Sequence, residues 1–269
     1  MTKTMKMVSA SKFKRAHKAQ SNALAYAGCL TELMARLASS AQGQHPLMKS
    51  SKTLKNALIV VFTSDKGLCG GFNNNLVRMV RRWLPEVGAK FSKLEMSFCG
   101  RRGYMSFRRS AQMKKYYENI TIKPVFNDAL TVAKDLSDSF LKGEYDEIYL
   151  AYNKFHGPIS QEPIIEKILP LSAEGMVKAP TKASGNYEYE PDEAELFAFL
   201  VPKFLNFKIY FTLLENAAGE HGARMSAMDN ASKNTGELID KYTLLRNRAR
   251  QASITTELIE IISGAEALK

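Results

Sequence analysis

Two stretches of this chain repeat apolar residues over distances longer than a compact helix needs, and they stand at its two ends. From Met5 to Leu37, small or apolar side chains recur at alternating steps of three and four: Ala16, Ala19, Ala23, Tyr26, Leu30, Leu33 and Leu37. That is the seam of a heptad pattern. Gly28 is the only residue within it that resists helix, and Gly43 with Pro46, in AQGQHP, predicts the stop. At ~1.5 Å per residue the predicted rod is about 60 Å long.

The other end repeats the pattern at greater length. No proline follows Pro202, and the predicted seam reads Tyr210, Leu214, Ala217, Met228, Ala231, Leu238, Tyr242, Leu245, Ala249, Ala252 and Ile259. His221, Arg224, Thr235 and Thr256 interrupt it. A helix of roughly 90 Å follows from the ~1.5 Å rise. Nothing in a 30.1 kDa globule could cover that rod, so it must pair with another long helix, and the N-terminal one is available. A seven-residue seam imposes a left-handed supercoil. Alanines at Ala16, Ala19, Ala23, Ala249 and Ala252 make the predicted coil slender, because they bury little apolar area.

The middle reads as α/β. Leu58–Phe62 (LIVVF) is a short apolar run that fits a strand buried on both faces. The turn SDKGLCGGFNNN leads into a helix pattern, LVRMVRRWL. Leu94–Cys99 predicts a second strand and GRRGYMSFRRS a short helix. Asn127 is the predicted cap of a helix that closes at Gly143. Ile148–Tyr152 and Pro163–Leu169 predict two further strands around a loop with Gly157-Pro158, and Ala179–Pro191 is the one good linker. Strands alternating with helices give a parallel or mixed sheet. The predicted units are a coil helix with its connection over 1–55, an α/β domain over 56–178, a linker and helix start over 179–203, and a coil helix over 204–269.

Composition narrows the partners. A net charge of +11 suits a polyanion: nucleic acid, an anionic lipid surface or an acidic protein. The basic groups sit at Lys3, Lys6, Lys12, Lys14, Arg15 and Lys18, and at Arg81, Arg82, Arg101, Arg102, Arg108 and Arg109. No nucleic-acid recognition module accompanies them, and aromatics are not interleaved. No apolar run reaches the roughly 20 residues that cross a bilayer. Cys29, Cys69 and Cys99 offer no CxxC pair, which fits three buried thiols in a reducing compartment.

Candidate chemistry is sparse. The glycine-rich turn Ser64–Asn75 could cradle a phosphate, but Gly71 is followed by Phe72-Asn73 where a P-loop needs Lys and Ser or Thr. The histidines His17, His45, His156 and His221 are isolated, so no metal site is predicted. The acid pairs Asp146/Glu147 and Asp192/Glu193 flank predicted element starts, and Glu257/Glu260 lies on the terminal helix with no histidine or nucleophile in sequence reach. No cofactor and no catalytic residue are expected.

Three segments are specific. TKTMKMVSASK (Thr2–Lys12) resembles the N-terminal signature of ATP synthase gamma subunits, SDKGLCGGFN (Ser64–Asn73) is similar to the family's turn in its α/β domain, and Glu215–Leu268 resembles the family's C-terminal signature over its whole length. The resemblance implies a long antiparallel coiled coil with a Rossmann-like α/β domain inserted between its helices, and a non-catalytic rotor role. The upper coil would sit in a ring of three alpha and three beta subunits, and the foot on the membrane c-ring and the epsilon or delta subunit. By position, Met5, Lys6, Arg250, Gln251, Thr255 and Glu257 meet the beta subunits. Leu258, Ile259, Ile261, Ile262 and Leu268 belong to the tip in the apolar bearing, and Lys203, Phe204, Asn206 and Lys208 face the c-ring. The sequence departs from the family at Gly219 and Gly222, which are expected to soften the shaft, and at Asn206, where many members carry an acid. The family usually has further helix before its TKxMKMV motif. The absence of a chloroplast-type cysteine insertion points first to the matrix side of the mitochondrial inner membrane, and second to a bacterial plasma membrane.

Overall fold

The computed structural model describes residues 1–40, 45–51, 54–171, 190 and 192–267. Two helices, α1 (Thr2–Ser40) and α5 (Glu193–Ala267), bracket a five-stranded sheet. The predicted linker lies outside the described residues except for Glu190, as do Gly43 and Leu268.

The 39 residues of α1 span about 58 Å, and the 75 of α5 about 112 Å. Helix α5 starts before Pro202, not after it. Proline removes one backbone hydrogen bond and crowds the carbonyl four residues earlier, yet the helix is continuous through Pro202, whose ring is exposed. Glu193 and Glu195 in the first turn suit the positive helix end.

The α1 seam keeps the predicted period but not the predicted register. Thr2, Lys6, Ser9, Phe13, Ala16, Gln20, Ala23, Ala27, Leu30, Met34 and Leu37 are buried or half-buried at strict three-four steps. Gln20, Ala27 and Met34 take the positions predicted for Ala19, Tyr26 and Leu33, though Ala19 and Leu33 stay half-buried beside them and Leu33 packs against the main core. Tyr26 is 53% exposed and lies at the flank, its ring 4.6 Å from that of Phe207. The helices are antiparallel: Tyr26 meets Phe207, and Lys6 Nζ pairs with Asp229 Oδ1 at 2.5 Å.

One turn beyond that pair α1 runs out, and every residue from Lys233 to Ala267 is exposed. The predicted seam at Leu238, Tyr242, Leu245, Ala249, Ala252 and Ile259 therefore has no partner within the described chain.

Between them lie β1 (Asn56–Phe62), α2 (Phe72–Glu86), β2 (Lys93–Cys99), α3 (Arg101–Phe107), β3 (Gln112–Tyr117), α4 (Phe126–Leu141), β4 (Glu147–Phe155) and β5 (Gln161–Leu169). The sheet order is β3-β2-β1-β4-β5, parallel except for the β4–β5 hairpin. β3, QMKKYY, has no counterpart among the predicted strands; as an edge strand it is mostly exposed and lacks an apolar run. Val125, not Asn127, caps α4, without a side-chain hydrogen bond, while Gly143 follows the helix at φ 72°.

Strand alternation divides the core. Leu58, Val60 and Phe62 join Ile148, Leu150 and Tyr152 under α4 and the lower coil. Ile59 and Val61 join Met96, Phe98 and Ala151 under α2. One window of α5 is apolar enough by composition to cross a bilayer, with mean hydropathy 1.4, contrary to the expectation above. In the fold, Phe197, Val201, Leu205, Ile209 and Leu213 of this helix pack into the first core.

Candidate functional site

From Thr212 to Gly222 every residue of α5 is buried, so no face of the helix is free. Three elements enclose it. On α1, Phe13 lies 3.4 Å from where a Cβ on Gly222 would stand. The end of β1 offers the Thr63 carbonyl, which accepts from Asn216 Nδ2 at 3.2 Å. The β4–β5 hairpin supplies Phe155 N–H, which donates to Glu215 Oε1 at 3.4 Å.

Two glycines set the closeness. A Cβ on Gly219 would stand 2.9 Å from the Phe72 ring, and one on Gly222 would stand 2.9 Å from Pro158 Cα. Gly219 and Gly222 were expected to soften the shaft through low helix propensity. The structure gives them a packing role instead: they let the domain approach the helix backbone.

The glycine-rich turn faces the same helix. Arg224 donates from Nε to Gly67 O and from Nη2 to Lys66 O, each at 3.1 Å, and pairs with Glu220 Oε1 at 2.6 Å. Here the turn presents carbonyls to a guanidinium. A phosphate cradle needs the opposite, N–H groups pointing outward. Asn73 braces the turn from inside, with Nδ2 2.7 Å from Ser64 Oγ and Oδ1 2.9 Å from Ser64 N.

Burial also sets the protonation states. It pushes the Glu215 carboxyl up to about 7 and His221 down to about 4, the latter helped by Arg224 and Lys12. Burial raises Glu220 as well, against the pull of Arg224. Cys69 and Cys99 are buried, with thiols pushed up by desolvation, whereas Cys29 is exposed, contrary to the expectation of three buried cysteines. Among the described residues, no group of three or more His, Cys, Asp or Glu side chains is placed to hold a metal ion.

Known proteins match this arrangement from end to end. The family described as ATP synthase matches residues 1–268. The ATP synthase gamma chain of Geobacter sp. (strain M21) is 42% identical over all of this chain and 93% of its own length. That of Geotalea uraniireducens (strain Rf4) is 43% identical at the same coverage. The chain belongs to the ATP synthase gamma chain family.

Among solved structures, a chain from the central stalk and c-ring of the Tetrahymena thermophila mitochondrial ATP synthase is similar at TM-score 0.63 and 29% identity. The match covers 86% of this chain and 99% of that one. A chain from the Euglena gracilis mitochondrial enzyme shares the fold at TM-score 0.58 and 18% identity, covering 98% of this chain and 94% of that one.

Seen as a gamma-chain fold, the predicted contact residues fall into three bands along the rod. Met5 and Lys6 stand at the head of α1, where Met5 borders a cleft of about 370 Å³ with Val8, Lys12, Leu68, Arg102 and Arg224. Arg250, Gln251, Thr255 and Glu257 lie more than about 30 Å further along the same axis from Asp229. They are exposed on the free helix, as are Leu258, Ile259, Ile261 and Ile262 beyond them. At the opposite end, Lys203 lies 4.2 Å over the Phe199 ring and borders a cleft with Asn206, Phe207 and Tyr26. Phe204 is half-buried against the core, and Lys208 turns inward to pair with Glu166 at 2.7 Å. Sequence reasoning did not select Asn216, Thr63 or Glu215. Arg224 and His221 had stood out as breaks in an apolar seam, and His221 also as an isolated histidine. Charged groups at seam positions were the available signal.

Proposed function

We propose that this chain is the rotating central stalk of an F-type ATP synthase, carrying rotation of a membrane c-ring to catalytic beta subunits. The observation that carries this reading is the bare helix from Lys233 to Ala267, about 50 Å long, with an α/β domain at the other end of the rod. Leu258 at 53% exposure and Ile262 at 61% are apolar surface that a sheath of other subunits would cover. Family membership and the central-stalk relative support the same reading.

The partners are then the alpha and beta subunits around the free helix, and the c-ring and epsilon or delta subunit at the foot. The rod is asymmetric, so it cannot touch three beta subunits alike. Each turn drives every site through different conformations. Moving a two-state element from mostly open to mostly closed takes about 5.5 kcal/mol of differential contact. Single exposed ion pairs supply about 0–1 kcal/mol each. Steric pushing by a stiff rod, with several charged contacts at Met5–Lys6 and Arg250–Glu257, supplies the rest. The net charge of +11 favours acidic beta segments. The chain itself contributes no catalysis.

The relatives at 40–43% identity are bacterial, which supports the cytoplasmic face of a bacterial plasma membrane over the mitochondrial matrix. Co-expression with alpha and beta subunits tests the whole reading. A complex should form whose nucleotide hydrolysis turns a probe fixed to the foot, while the isolated chain hydrolyses nothing. A chain that never joins alpha and beta, or that turns over ATP alone, would refute it.

A further inference from the structure

Strand order reverses between β1 and β4, and open α/β sheets hold their ligands in the crevice beyond the carboxyl ends of such strands. In this domain the crevice holds α5. Thr63, just past β1, accepts from Asn216, and Phe155, the last residue of β4, donates to Glu215. The turn after β1 binds Arg224 through two carbonyls. Asn153 Nδ2 ties β4 to the same turn, donating to Phe72 O at 3.1 Å.

The base of this grip is rigid. Thr63 N–H donates to Cys99 O at 2.8 Å, and its Oγ1 accepts from Gly103 N–H at 2.8 Å. The Thr63 carbonyl is therefore fixed to the ends of both β1 and β2. Smooth apolar contacts let a helix roll about its own axis. Directional hydrogen bonds to fixed carbonyls resist rolling, as do glycine notches filled from two sides by Phe72 and Pro158.

We infer that residues 215–224 of α5 form a keyed joint in the ligand crevice of the α/β domain, through which torque passes between foot and shaft. Asn216 and Arg224 act there as positioning residues. The inference rests on the rotating-stalk reading and adds the place where the load crosses. The domain's binding crevice takes a segment of its own chain.

The test uses the assembled complex with alpha and beta subunits, stalled by a non-hydrolysable nucleotide. Two probes are attached, one on the exposed face of the foot and one on the free helix. The twist between them is recorded for the wild type, Asn216→Leu and Arg224→Lys. Asn216→Leu removes the donor while keeping the branching of the side chain, and Arg224→Lys keeps the charge beside Glu220 but loses the two-carbonyl fork. The variance of the twist is expected to rise at least about twofold in either variant, while ATP hydrolysis by unstalled complexes, assayed separately, stays within about twofold. Equal variance in wild type and in every variant that assembles would overturn the joint. Wild-type complexes that hydrolyse nucleotide without turning the foot probe would instead overturn the rotating-stalk reading.

Discussion

Lys6 and Asp229, 223 residues apart in sequence, pair at 2.5 Å and mark the last rung at which the two helices hold each other. From Lys233 onward no described residue of the chain covers the helix. Both side chains are substantially exposed, at 42% and 35%, so the pair positions the end of α1 more than it stabilises the fold. Asp229→Asn should raise amide hydrogen exchange over residues 2–9 and leave the thermal midpoint of the foot unchanged. Uniform protection in the variant would show that apolar contacts alone pin this end.

Truncation after Ser232 should leave the rest of the molecule folded, because the described residues it removes, Lys233 to Ala267, are all exposed. The urea midpoint, followed through Trp83 beside Tyr149, should match that of the full chain. A lower midpoint would mean that the free helix contributes to the foot.

Met34 is fully buried where α1 joins the main core. Met34→Ala should cost about 2–5 kcal/mol in urea denaturation, the range for cavities in a close-packed interior. A loss well below that range would show that the lower coil is loosely packed.

Gly100 follows β2 at φ 104°, and a Cβ there would stand 2.2 Å from Thr63 O. The obstacle is backbone, which cannot swing aside. Gly100→Ala should destabilise by about 3 kcal/mol or more, with loss of soluble expression as the first sign. Expression and stability equal to wild type would contradict the close approach.

Stability should respond to pH in opposite directions at two residues of the grip. His221 is held at about 4, below its ordinary 6.5, so its contribution is complete above 6.5 and is lost as pH falls through 4. Glu215 is held at about 7, above 4.5, so its contribution is complete below 4.5 and is lost as pH rises through 7. Each spans on the order of 3 kcal/mol. Denaturation between pH 4 and 8 should therefore show His221→Gln flattening the acid limb and Glu215→Gln the neutral limb. Unaltered limbs in both variants would refute these assignments.

Met5→Lys places a second charge beside Lys6 at the mouth of a basic cleft. It should lower rotation-coupled ATP synthesis at least about threefold while the complex still assembles and hydrolyses ATP. Normal coupling in a well-assembled mutant would remove Met5 from the beta-subunit contact.

Sequence alone determined the two long helices, four of the five strands and the hairpin, because each has a period or turn signal that survives without context. It did not reveal β3, since an edge strand rich in lysine carries no apolar alternation. At three positions the α1 seam lies one residue beyond the predicted one: Gln20 is buried where Ala19 is half-buried, Ala27 is half-buried where Tyr26 is exposed, and Met34 is buried where Leu33 is half-buried. Gly219 and Gly222 were read through helix propensity, a local quantity, yet their reason lies on Phe72 and Pro158, distant in the chain. Which α1 residues form the seam, and that the shaft fills its own domain's crevice, were decided by tertiary structure. Those outcomes depend on which surfaces meet at a distance, and periodicity along one strand of sequence does not encode the partner.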